Sequence, residues 1–203
     1  GPTLFTLLNP EQTNINFQNT LTEGLNTNIL MYEYFYNGGG VAAGDFNKDG
    51  LVDIYFTSNM DENKLYLNKG NMQFEDITLL SGAGGRSGPW KTGVNAVDIN
   101  ADGKLDIYLC YSGALPPEKR ANQLFINTGN DNLGRPRFEE RAEAYGLAST
   151  GFSNQSYFLD YDKDGDLDML LLNHNPKNLP LLNETGTAEL FKQDSPEKGL
   201  RLF

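Results

Sequence analysis

Oxygen-bearing side chains recur at one fixed spacing in three nine-residue stretches of this 203-residue chain. The first runs Asp45-Phe46-Asn47-Lys48-Asp49-Gly50-Leu51-Val52-Asp53. The second runs Asp98-Ile99-Asn100-Ala101-Asp102-Gly103-Lys104-Leu105-Asp106, and the third Asp160-Tyr161-Asp162-Lys163-Asp164-Gly165-Asp166-Leu167-Asp168. Aspartate or asparagine fills positions 1, 3, 5 and 9, and glycine fills position 6. That is chemistry for a hard cation. Ca²⁺ takes six to eight oxygens at roughly 2.3–2.6 Å, and alternate carboxylates on a tight loop can all point inward. The glycine permits the sharp turn, and the carbonyl of position 7 adds a further oxygen. The expected ligands are therefore Asp45, Asn47, Asp49, Leu51 and Asp53; Asp98, Asn100, Asp102, Lys104 and Asp106; Asp160, Asp162, Asp164, Asp166 and Asp168. They would hold about three Ca²⁺ ions.

The flanks say which elements position these loops. An EF-hand needs a bidentate Glu at position 12 and helices on both sides, but position 12 is Phe56, Leu109 and Leu171. Positions 8, 10 and 12 are apolar in every copy: Val52, Ile54, Phe56; Leu105, Ile107, Leu109; Leu167, Met169, Leu171. Such alternation predicts strands, and short strands also precede each loop at Val41, Val94 and Ser156. Each loop thus reads as a calcium-binding β-hairpin. Ordinary Asp-Asn-Gly turn chemistry would explain one copy, not three in register.

The loops belong to a unit of 53 to 62 residues, since the first Asp recurs at 45, 98 and 160. After each hairpin comes an Asn-x-x-x-x-Asn element, at Asn63–Asn68, Asn122–Asn127 and Asn178–Asn183, that predicts a third strand. In the last copy Pro180 lacks an N–H and weakens an interior strand. A phenylalanine with a glycine eight residues later follows (Phe74 and Gly82, Phe138 and Gly146, Phe191 and Gly199), which supplies a fourth strand. Four short strands per repeat predict an all-β fold, a partial β-propeller of about three four-stranded antiparallel blades. The calcium β-helix is the rival, but its signature returns every nine residues and these loops return once per unit. The expected organisation is a single propeller segment over 1–203: an opening strand and entry at 1–40, then blades at 41–82, 94–146 and 156–199. The opening strand is inferred because Phe5–Phe17 resembles Phe191–Phe203, both with a central Pro-Glu. An arc of three blades predicts apolar strand faces left open at both ends, and self-association through them.

Composition narrows the function. The net charge is −11, and 11 of the 27 acidic residues lie in the three loops. Three Ca²⁺ would bring this to about −5, so metal accounts for the acidity without a basic partner. No basic cluster interleaved with aromatics suggests nucleic acid, and no apolar run reaches membrane-spanning length. The start, Gly1-Pro2, reads as processed or engineered, so the lack of a signal peptide says nothing of the compartment. Cys110 reads as a buried strand thiol and His174, the only histidine, as a loop residue, which leaves little material for triads or zinc. Gly38–Ala43 matches a dinucleotide fingerprint only nominally, because no helix follows; close strand packing is the better reading. Trp90 reads as a packed aromatic between blades. Asn154 and Asn183 fit the glycosylation sequon, a weak signal in so Asn-rich a chain.

The stretch Gly39 to Tyr55 and the element Asn63-Lys-Leu-Tyr-Leu-Asn68 resemble FG-GAP/VCBS-type repeats, the calcium-binding propeller repeats also found in the integrin α-subunit head. The resemblance covers residues 39 to 203 and is of the bacterial secreted or surface-attached type. It implies a fragment of a longer, usually seven-bladed propeller outside the cytoplasm: extracellular, cell-surface or periplasmic. The implied function is non-catalytic binding of proteins or glycans, or adhesion. The alternative is the accessory or scaffold part of a secreted carbohydrate-active or other enzyme. Calcium-bound carboxylates are held ionised and make poor general acids, which argues against chemistry in the loops themselves.

Overall fold

The computed structural model describes residues 3–174 and 199–203. Among the described residues the fold is all-β apart from three single helical turns, α1 (Pro10–Thr13), α2 (Thr78–Ser81) and α3 (Pro117–Arg120). Three antiparallel sheets follow one another along it. The first contains β1 (Val41–Gly44), β2 (Asp53–Phe56), β3 (Lys64–Asn68) and β4 (Phe74–Asp76), paired in sequence order. The second repeats that order with β5 (Lys91–Val97), β6 (Asp106–Tyr111), β7 (Gln123–Asn130) and β8 (Pro136–Glu140). The third holds β9 (Ser153–Leu159), β10 (Asp168–Asn173) and β11 (Gly199–Leu202).

The period-2 pattern sets the packing. In β6, Ile107, Leu109 and Tyr111 face the first sheet and join Tyr55, Leu65 and Leu67 in one core. The alternate residues Tyr108 and Cys110 turn the other way, onto Met169 and Leu171 of the third sheet. All six residues of β6 are therefore buried. Cys110 is the buried strand thiol expected, its pKa pushed up to about 12 by burial. The sheets also meet along their first strands. Thr92 Oγ1 donates to the Ser153 carbonyl at 2.7 Å, and Thr57 Oγ1 to the Thr92 carbonyl at 2.5 Å. Gly40 sits at this meeting: a Cβ there would lie 2.8 Å from the Thr92 carbonyl oxygen. That close approach is the strand packing expected of the glycine run.

Three expectations change. Phe5–Phe17 forms no strand. Asn9 caps α1 instead, in a reciprocal capping box with Gln12, and Pro10 occupies the first turn; Asn-Pro-Glu-Gln is helix-start chemistry, and it overrides the likeness between the chain ends. The segment just beyond then lies over the outer face of the first sheet, where Phe17 stacks on Phe56 at 4.7 Å and Asn16 N–H donates to the Tyr66 hydroxyl. That face is covered, not open. On the outer face of the third sheet, Tyr157, Leu172, Leu200 and Leu202 are exposed, and no described segment lies over them as Phe17 lies over Phe56. The third change is in that sheet. The expected strand Asn178–Asn183 and Phe191 lie outside the described residues, and the place beside β10 belongs to β11, with Leu170 opposite Leu202.

Two side chains also sit differently. Trp90 packs not between sheets but against Tyr32 and Phe35 of the entry segment. His174 follows β10, yet it is buried, with its ring 4.1 Å from that of Tyr34. Burial lowers its pKa to about 4.

Candidate metal centres

Each nine-residue loop joins the first two strands of its sheet, and all three share one backbone course. Position 6 is left-handed (Gly50, Gly103, Gly165), and so is position 4, where Lys48, Ala101 and Lys163 have φ of 61°, 55° and 63°. A left-handed position 4 is uncommon for residues with a Cβ, and nothing in the residue types announces it.

In the first two loops the end carboxylates are held by the loop itself. Asp45 accepts the amides of Asp49 and Gly50, and Asp98 those of Asp102 and Gly103. Position 9 turns inward. Asp53 is fully buried and accepts Phe46 N–H at 3.0 Å and Asn68 N–H at 2.8 Å. Asp106 repeats this with Ile99 N–H at 3.1 Å and Asn127 N–H at 2.7 Å. Here is the physical reason for the last Asn of the strand element. Its amide N–H ties β3 or β7 to the loop carboxylate, while its side chain donates to the carbonyl of Val52 or Leu105. Burial pushes the Asp53 carboxyl up to about 6 against these two hydrogen bonds, and it pushes Asp106 up as well.

The third loop is more exposed and differently arranged. Asp168 accepts Tyr161 N–H at 2.8 Å, but Asp160 receives no hydrogen bond from the described residues. Asp160, Asp162 and Asp168 instead each bring a carboxylate oxygen to within 4.8 Å of the others. Two oxygens on opposite sides of a Ca²⁺ lie about 4.8 Å apart, so the all-oxygen donor set fits a hard cation in span and in chemistry. Among the described residues this is the one group of three or more carboxylate, thiol or imidazole side chains that converges so closely. Asp164 accepts the Asp166 amide, which lowers its pKa. Asp166 is pushed up, first by its side-chain hydrogen bond to Asp164 and then by that carboxylate's charge.

Loop 1 is also an inter-sheet contact. Asn127 Nδ2 donates to the Phe46 carbonyl at 2.9 Å, Asn130 Nδ2 to the Asn47 carbonyl at 2.8 Å, and Asn47 Nδ2 to the Gly134 carbonyl at 3.1 Å. The sequence gives no sign that a loop of one repeat is gripped by the β7–β8 hairpin of the next.

A cleft of about 750 Å³ lies apart from the loops, between Asn16–Thr20 and the Gly84–Gly88 turn. Its charged lining is Asp61, Glu62, Lys64, Arg86 and Lys91. Lys91 is buried and donates to the carbonyls of Asp61 and Gly88, and burial lowers its pKa to about 8. Among the described residues no helix is long and apolar enough to cross a membrane.

The fold and loops define a class: antiparallel sheets in series, each with an acidic hairpin between its first two strands. Residues 45–109 match the family model for an FG-GAP-like repeat, which spans loops 1 and 2 together. Three vertebrate relatives share the sequence more widely. Cartilage acidic protein 1 of Mus musculus and that of Homo sapiens are each 31% identical over 148 residues, 71% of this chain. The Xenopus tropicalis protein of that name is 28% identical over 155 residues, 73% of this chain. The match covers only 22–23% of each relative, so the chain spans less than a quarter of their length.

Proposed function

We propose that this chain is a non-catalytic calcium-binding repeat module, an arc of a larger β-propeller that binds a protein or glycan outside the cytoplasm. The observation that carries this reading is the convergence of Asp160, Asp162 and Asp168 on a loop whose backbone recurs in the other two repeats. Ca²⁺ bound there would neutralise carboxylates that otherwise repel, and would stiffen each hairpin at the end of its sheet. The FG-GAP-like match supports the module, and the name of the relatives agrees with a chain of net charge −11. The open face of the third sheet is where a further sheet of a longer protein, or a second copy, would pack.

Equilibrium dialysis against Ca²⁺ with elemental analysis, beside melting with and without chelator, tests the proposal. Bound calcium and a raised melting temperature are expected. A chain that binds no calcium and melts identically in both buffers would sink the metal reading.

A further inference from the structure

We propose that the Lys104 ammonium is a tethered cation that competes with the metal for Asp102, making loop 2 the weakest of the three sites. The proposal deepens the calcium reading and rests on it. Lys104 Nζ donates to Asp102 Oδ2 at 2.6 Å, and Asp102 is the central carboxylate of its loop, at position 5. The same residue holds the other oxygen too, since its backbone N–H donates to Asp102 Oδ1 at 2.9 Å. Asn100 Nδ2, from position 3, points at Oδ2 as well, at 3.2 Å. An incoming cation must displace the ammonium and turn the asparagine before it meets this carboxylate.

A second positive charge leans on the same loop. The Lys48 side chain crosses from loop 1, and its Nζ lies 3.4 Å from the point where a Cβ on Gly103 would stand. Position 7 thus varies in charge across the three loops: neutral at Leu51, positive at Lys104, negative at Asp166. Only at Lys104 does the position-7 side chain ion-pair with the position-5 carboxylate. The pair is partly open to solvent, with the two side chains 28% and 32% exposed, so the ammonium is displaceable and not a permanent plug. An exposed ion pair of this kind shifts an equilibrium by about two- to fivefold, the scale expected for the competition.

Calorimetric Ca²⁺ titration of the full chain tests this, in an Asp49→Ala/Asp164→Ala background that leaves loop 2 as the intact site. Adding Lys104→Met, which keeps the aliphatic stem and removes the charge, should tighten binding by about two- to fivefold. Lys104→Arg, which keeps the charge, should not give this tightening. Should Lys104→Met fold poorly by circular dichroism, Lys104→Gln carries the same expectation. Calcium binding that is unchanged or weaker without the charge overturns the role of Lys104 and leaves the calcium reading standing. No binding by the unmodified chain overturns both, and the two failures are distinct.

Discussion

In loop 1 the Asp45 carboxylate receives the amides of Asp49 and Gly50, and Asp53 receives those of Phe46 and Asn68. In loop 3 the equivalent Asp160 receives none from the described residues, and Asp168 receives Tyr161 alone. The two loops have the same left-handed residues at positions 4 and 6, so the difference does not come from the turn. It comes from the surroundings. Loop 1 lies against the second sheet, where Phe46 packs into the core and its carbonyl accepts from Asn127. Loop 3 has no such neighbour among the described residues, and Asp160 through Leu167 are all exposed. One motif therefore does two jobs: a buried backbone tie where a neighbouring sheet presses on it, and a converging carboxylate cluster where none does.

The sharpest test of that contrast is at position 9, in chelator. Asp53→Ala leaves the buried Phe46 amide and the half-buried Asn68 amide without an acceptor, a buried one being worth about 1–3 kcal/mol, offset in part by release of a carboxyl that burial disfavours. A loss of about 2 kcal/mol by urea unfolding is expected. Asp168→Ala, with one tie and partial exposure, should cost about 1 kcal/mol or less. Equal losses would break the comparison.

Adding calcium should invert the ranking. At tenfold excess over its dissociation constant each site contributes about 1.4 kcal/mol. Loop 3, with five aspartates and a converged trio, should saturate first, so Asp164→Ala should remove more of the calcium-dependent stabilisation at limiting calcium than Asp49→Ala does. Melting temperature against calcium concentration for the two variants reads this directly.

A smaller effect separates the third sheet's loop from its far end. His174 is buried, with its pKa lowered to about 4 from an ordinary 6.5. The unfolded chain then binds a proton that the folded chain refuses, so stability falls as pH drops from about 6.5 toward 4. His174→Phe, which keeps a ring against Tyr34 and Phe152, should flatten that part of the profile. Asp53, raised to about 6, works in the opposite direction over the same range, so a stability difference between variant and parent that stays constant with pH would overturn the assignment to His174.

Much of this was legible because local rules and tertiary packing agree. Val41–Gly44 and Phe74 fall in strands where alternation and turn residues put them, and Cys110 is buried because β6 faces a sheet on either side. Other features depend on what a residue meets far along the chain. The inward turn of Asp53 needs Asn68, the grip on loop 1 needs Asn127 and Asn130, and the cover over the first sheet needs Phe17 on Phe56. Spacing within one repeat contains none of these partners. The motif also hides its own division of labour, since Asp at position 9 is written identically whether it faces a core or the solvent.

The smallest effect examines the register of loop 3. Asp166 stands at position 7, where a metal would take the backbone carbonyl and not the side chain. Its carboxyl is exposed and raised in pKa by Asp164, so like charges are crowded there without a cation. Asp166→Ala relieves that repulsion while keeping the 3.1 Å hydrogen bond from its own backbone N–H to Asp164 Oδ1. In chelator the variant should be slightly more stable to urea. In calcium the sign should reverse, because a carboxylate that adds field but no bond is lost, and affinity should drop by no more than about fivefold. Asp164→Ala removes both an expected ligand and the acceptor for the Asp166 amide, so it should be far more damaging. Were the two substitutions equally harmful to calcium binding, Asp166 would be a direct ligand, and the assignment of positions 5 and 7 in this loop would have to be exchanged.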